Sequence, residues 1–313
     1  FITMPRDRLY PSMYDLSQAR RALASPWLVP EELNRVAHRR LNRWTYNENG
    51  VDLFEEDWDN LLILDACRYD MFCERHSLPG RTESRVSRGS GTWEFLRGNF
   101  ANRDLTDTVY VTASPMLHRN ESALDTRLHA VVDVWQEEGW DADSKTVMPD
   151  VLSDYAREAA ERYPDKRLLV HYLQPHYPFI GPTGREHFDN DTLAIWAEKR
   201  DGNLDIPDEY FVRATEESLD IALEEVADLL DDLRGRTVVT ADHGQAFGER
   251  GSPIPMKVYG HPVGTYLEEL VKVPWHVYDN GPRREITREE PVDEAEDVDH
   301  DVVEDRLKDL GYV

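Results

Sequence analysis

Cysteine is nearly absent: Cys67 and Cys73 are the only two in 313 residues. They cannot form a disulfide framework, and no Cys-x-x-Cys pair offers metal-binding spacing, so they read as core or helix thiols. Lysine is almost as scarce, supplying six of 36 basic residues against 62 acidic ones, and the formal net charge is −26. Acid-rich, lysine-poor surfaces stay hydrated in strong salt, so the composition suggests a halophilic setting. No basic stripe is visible, which argues against nucleic acid as a partner. No apolar run approaches the ~20 residues of a membrane span, so no integral membrane segment is expected. The first residues, Phe1-Ile2-Thr3-Met4-Pro5, lack the basic-then-apolar pattern of a secretory leader, which leaves cytoplasmic as the default expectation. There is no internal repeat. Mean hydropathy is −0.65, yet short, strongly apolar segments occur, so the chain is expected to fold rather than remain disordered.

Those apolar segments carry the argument. Thr237-Val238-Val239-Thr240-Ala241-Asp242-His243-Gly244 is a β-branched run that stops at an acid, an imidazole and a glycine. Uninterrupted runs of this kind suit strands buried on both faces. Asn60-Leu61-Leu62-Ile63-Leu64-Asp65 also ends in an acid, and Leu168 to Tyr172 leads to Leu173-Gln174-Pro175-His176. Ligands of open parallel sheets gather at the carboxyl ends of the strands. If the three runs are parallel neighbours, Asp65, His176, Asp242 and His243 face one crevice. Oxygen donors beside imidazoles suit a divalent metal. Taken alone, Asp242-His243 is equally a capping acid and a surface histidine; the agreement of three strand ends favours the metal.

The length suits one large domain. Residues 1–58 are polar, Arg-rich and helical in pattern, with amphipathic stretches at 16–24 and 30–44 that either pack on the body or contact a partner. Residues 59–282 alternate strand and helix and are expected to form the catalytic domain. A helix is expected over 66–74, opening beside Asp65. Further strands are expected at 107–113, 130–135 and 273–278, and helices at 151–163 and 207–233. Residues 180–206 read as an irregular insertion and 244–259 as a Gly/Pro-bearing loop. The Gly/Ser loop 86–91 precedes a helix whose N-cap falls near Thr92. Residues 283–313 read as an acidic tail and a short terminal helix packed on the domain. The fold class is α/β: a doubly wound, mostly parallel sheet flanked by helices.

Five ordered segments together resemble the alkaline phosphatase/sulfatase superfamily. They are Leu64-Asp65-Ala66-Cys67-Arg68-Tyr69-Asp70; Gln174-Pro175-His176-Tyr177-Pro178; Ala241-Asp242-His243-Gly244 with Gly248-Glu249; Gly260-His261 followed by Tyr266 to Pro274; and Arg306 to Tyr312. Residues 1–58 are not covered. The resemblance implies an alkaline phosphatase-like three-layer sandwich. It departs from the family where Ala66 replaces a second acid, and no Cys-x-Pro-x-Arg is present for a formylglycine. Ser90-Gly91-Thr92 is instead similar to the Thr-bearing loops of the lipoteichoic acid synthases and nucleotide phosphodiesterases of that superfamily.

The resemblance implies a hydrolase of phosphate or sulfate esters with a metal-activated Thr92 nucleophile and a covalent intermediate. Asp65, Thr92, Asp242 and His243 would ligate at least one divalent ion (Zn, Mn, Mg or Ca). His176 and His261 would contact substrate oxygens, protonate the leaving group or hold a second metal, and Arg68 would bind substrate. The ester could be glycan- or lipid-linked, and a head-group transferase or a metal-stabilised binding module would use the same residues. Rival assignments are Thr92 as a plain N-cap, Ser90 or Ser87 as nucleophile, and Arg68 in an ion pair with Asp70 or Glu74. His171, His187 and His276 read as core histidines.

Overall fold

The computed structural model describes residues 28–41, 43–136, 139–188, 194–292 and 300–311. The stretch 16–24 expected to be helical lies outside them. Among the described residues, the strands in chain order are β1 (Asn60–Leu64), β2 (Arg81–Val86), β3 (Asp104–Thr112), β4 (Arg127–Asp133), β5 (Trp140–Asp141), β6 (Thr146–Val147), β7 (Arg167–Tyr172), β8 (Gly235–Thr240), β9 (Ala246–Arg250), β10 (Lys257–Gly260) and β11 (Lys272–Asn280). The principal helices are α1 (Leu28–His38), α2 (Tyr69–Arg75), α3 (Thr92–Phe100), α4 (Pro149–Arg162), α5 (Pro182–His187), α6 (Ile195–Asp201), α7 (Asp208–Asp232), α8 (Glu268–Val271) and α9 (His300–Asp309).

Seven strands form the central sheet in the order β2-β11-β8-β1-β7-β3-β4. Strands β8, β1, β7, β3 and β4 are mutually parallel, and β11 runs antiparallel between β8 and β2. The sheet is thus mostly parallel and flanked by helices, as the alternation of apolar runs and amphipathic segments implies. All five residues of β1 are buried, because helices cover both faces of a parallel sheet and leave no solvent side. The chain passes from β7 to β8, on the other side of β1. The carboxyl ends of β1 and β8 therefore sit side by side, where an open α/β sheet builds its ligand crevice.

Four expectations change. The helix after β1 begins at Tyr69, with Arg68 as its N-cap, so that helix does not open directly at Asp65. Asp65 and Ala66 form a turn instead, with Ala66 at φ 61°. The stretch 244–259 is not a plain loop but carries the antiparallel hairpin β9–β10. The insertion 180–206 contains α5 and α6. Strand β2 was not expected at all. Its residues, Arg-Thr-Glu-Ser-Arg-Val, are half-exposed, as befits a charged edge strand with one neighbour.

Leu62 is fully buried at the centre of β1, between β7 and β8. Leu62→Ala is expected to cost about 2–5 kcal/mol, through lost transfer energy and the cavity left behind. The urea midpoint, read at unchanged slope, checks this.

Candidate metal centre

Asp65 follows β1 directly, and Asp242 and His243 follow β8 by one residue. All three side chains are fully buried. One donor atom from each lies within 4.8 Å of the others. His243 Nε2 is 3.3 Å from Asp65 Oδ1 and 3.3 Å from Asp242 Oδ2. Thr92 Oγ1 is 3.3 Å from His243 Nε2 and 3.4 Å from Asp65 Oδ2. Tetrahedral bonds of about 2.0–2.1 Å place ligand atoms about 3.3 Å apart, so these separations suit four ligands of one cation.

The backbone fixes these positions. His243 Nδ1 donates to the Gly244 carbonyl at 2.8 Å, which leaves Nε2 as a lone pair turned toward the two carboxylates. Asp242 Oδ1 accepts from the amides of Ala66 (3.1 Å) and His243 (2.8 Å). The first of these bonds depends on the left-handed turn at Ala66, which costs a side-chain-bearing residue about 1–2 kcal/mol. Ser87 Oγ donates to the Asp242 carbonyl. Gly244 passes against Glu269: a Cβ there would lie 2.1 Å from that residue's carbonyl oxygen, so only glycine fits.

Asp242 Oδ2 has no hydrogen-bond donor among the described residues. A buried carboxylate oxygen without a donor is expensive. Two buried acids facing one imidazole call for a cation, and the donor set fits a divalent one. Behind Asp242, His171 Nε2 lies 3.8 Å from Oδ2 while Tyr110 Oη pairs with His171 Nδ1 at 2.7 Å. Burial pushes the His171 imidazole down to about 4. Read from the sequence as a satisfied core histidine, His171 instead backs the site. An ionisable group inside an otherwise apolar strand was the available signal.

Thr92 opens α3, and its N-cap is Gly91; the threonine is the first helical residue rather than the cap. The positive end of the helix dipole therefore lies at Thr92 rather than at Asp65. Ser90 and Ser87 are tied elsewhere, Ser90 to Glu94 and the 262–265 loop and Ser87 to Asp242. His176 and His261 meet through their Nε2 atoms at 2.9 Å, and His261 stacks on His243 with ring centroids 4.6 Å apart. Burial, then the neighbouring His243, holds His176 down to about 4. Burial, His243 and His176 hold His261 well below its usual value. Both rings are neutral near pH 7 and suit hydrogen bonding better than charge storage. Arg68 makes the ion pair with Asp70 that was the rival reading. Expected to bind substrate, its guanidinium is held by Asp70 and Glu249 and by the Gln245 carbonyl. Hydrogen-bonding to two acids outweighs the desolvation of the guanidinium and raises its pKa.

Adding Zn or Mn at a hundred times its Kd is expected to stabilise the wild type by about 2.7 kcal/mol. Asp242→Asn should lose that response, because its side chain offers a weaker donor and one charge fewer. Melting curves with and without EDTA check this; an equal metal response in the variant would contradict the ligand assignment.

No family model matches the chain, and no curated protein does. Solved structures similar to it include the C-terminal periplasmic domain of EptC from Escherichia coli in complex with zinc, at 16% identity over 73% of this chain and 75% of that one, with a TM-score of 0.45. Another is the C-terminal periplasmic domain of phosphoethanolamine transferase EptC from Campylobacter jejuni, at 10% identity over 70% of this chain and 78% of that one, with a TM-score of 0.44. A third is a phosphonate monoester hydrolase from Silicibacter pomeroyi, at 13% identity over 72% of this chain and 69% of that one, with a TM-score of 0.42.

Proposed function

We propose that the chain is a metal-dependent hydrolase of phosphate or sulfate esters with Thr92 as its nucleophile, within a catalytic domain spanning residues 59–282. The observation that carries this reading is the approach of Thr92 Oγ1 to His243 Nε2 and Asp65 Oδ2 at the first residue of α3. A threonine hydroxyl is a weak nucleophile, and a divalent cation held by Asp65, Asp242, His243 and Thr92 would lower its pKa and offset the charge of the acids. The imidazole donor favours Zn or Mn over Mg or Ca.

In the first step Thr92 Oγ1 attacks phosphorus (or sulfur) and passes its proton to Asp65 Oδ2, to which the hydroxyl donates at 3.4 Å, and the bond to the leaving alcohol oxygen breaks; Asp65 returns that proton when the ester is hydrolysed. The neutral His176 and His261 would hydrogen-bond the departing oxygen, which takes its proton from solvent. In the second step water attacks the Thr92 ester in line. The bond from phosphorus to Oγ1 breaks, and Thr92 regains its proton. Amides at the start of α3 support the charge on the equatorial oxygens. Charge balance narrows the substrate. Two acids and one divalent ion sum to zero, both flanking histidines are neutral, and the Arg68 charge is matched by its own acids. Such a site suits a singly charged diester better than a doubly charged monoester.

Thr92→Ala is expected to lower turnover by roughly 10³-fold or more while keeping the fold and the metal-induced rise in melting temperature. The check is hydrolysis of bis-p-nitrophenyl phosphate, p-nitrophenyl phosphate and p-nitrophenyl sulfate, with the diester expected to be fastest. Unchanged turnover in the variant would sink the assignment. Transfer of the phosphoryl group to an added alcohol, in place of release of the free acid, would make the protein a head-group transferase using the same residues.

A further inference from the structure

Glu94 lies two residues after Thr92 in α3, and its side chain is fully buried. Its carboxylate accepts from the Ser90 amide (3.2 Å) and hydroxyl (3.0 Å), the Gly264 amide (3.1 Å), the Tyr266 hydroxyl (3.0 Å) and the Arg39 guanidinium. These donors come from three separate stretches: the loop before Thr92, the loop after His261, and the segment following α1. Arg39 is itself buried, with 4% of its side chain exposed. Gly264, at φ 84°, lies so close that a Cβ would sit 2.3 Å from Arg39 Nε. The loop beyond His261 can close over the guanidinium only with glycine there. The same segment holds the nucleophile loop a second time, because the Asn47 side chain and amide both donate, at 2.8 Å, to the Ser87 and Arg88 carbonyls.

We infer that Arg39 is a positioning residue: by compensating Glu94 it fixes the distance between Thr92 and the loop that carries His261. A carboxylate withdrawn from water needs a matching cation and satisfied lone pairs, and here the cation comes from outside the stretch that resembles the superfamily. Arg39 and Asn47, both outside that stretch, are therefore part of the active-site framework. The effect on rate rests on Thr92 being the nucleophile; the coupling of the two loops does not.

The test compares Arg39→Met, Glu94→Gln and the double variant by hydrogen exchange, melting temperature, kcat and KM on bis-p-nitrophenyl phosphate. In Arg39→Met, exchange in segments 87–98 and 260–267 is expected to rise about tenfold or more while the sheet strands keep their protection. Its kcat should fall roughly a hundredfold, the scale of a 1 Å misplacement, with KM little changed. The double variant, with no uncompensated charge, should recover melting temperature but not kcat. Unchanged exchange in the two segments, or a kcat that returns with melting temperature, overturns the proposal. If Arg39→Met cannot be purified, Arg39→Lys keeps the charge without the planar fork and is expected to raise exchange in the same segments. A fully active Thr92→Ala would remove the catalytic reading alone, and the exchange data would still decide the coupling.

Discussion

Two carboxylates from adjacent strand ends are buried around one imidazole lone pair, and much of the local structure serves to hold them there. Asp65 and Asp242 are brought together because β1 and β8 are parallel neighbours and each strand ends just before its acid. Water cannot solvate them, and the Nδ1 hydrogen of His243 is committed to the Gly244 carbonyl rather than to either acid. A fold that gathers these groups without solvent must gain enough elsewhere to offset the cost. The continuous apolar packing of β1, β7 and β8 provides that gain.

Several local oddities follow from the same constraint. The left-handed backbone at Ala66 turns an amide toward Asp242. Ser87 holds the carbonyl of the same residue, which removes its hydroxyl from contention as a nucleophile. The glycine after His243 admits the Glu269 backbone at a distance that no side chain could tolerate. Thr92 completes the cluster because α3 starts one residue after a glycine in extended conformation. That places a hydroxyl at the point where the helix presents unpaired amides.

The strand ends were legible in the sequence because uninterrupted β-branched and aliphatic runs have few other uses, and an acid or histidine where such a run stops is conspicuous. Asp65, His176, Asp242 and His243 could thus be named from pattern, whereas Thr92 and His261 needed a resemblance. Strand β2 escaped notice because edge strands are polar by necessity and resemble loops in composition. The helix after Asp65 was placed three residues early because the turn at Asp65 and Ala66 has no glycine or proline to announce it. Arg68 was only half legible for a different reason. Its partners Asp70 and Glu249 are two and 181 positions away, and the second distance has no local signature. Glu94 and Arg39 were invisible for that same reason: a buried ion pair is a property of the fold, and each member alone reads as an ordinary surface charge.

Arginine rather than lysine makes most of these long-range joins, and geometry explains why. A planar guanidinium can serve two acids at once or grip one in two places. Arg68 spans Asp70 and Glu249. Arg283 joins Asp57 and Asp59, and so ties the stretch after β11 to the residues just before β1. The one deeply buried lysine, Lys166, sits between Asp165 and Glu289 and pins the same stretch on the other side of the sheet's amino end. In a chain with 62 acids and 36 basic residues, each cation that bridges two carboxylates removes repulsion as well as adding attraction. The excess of acid is then tolerable where acids must lie close together. The cluster of Asp65, Asp242 and His243 is the extreme case, and there a divalent cation would supply the balance.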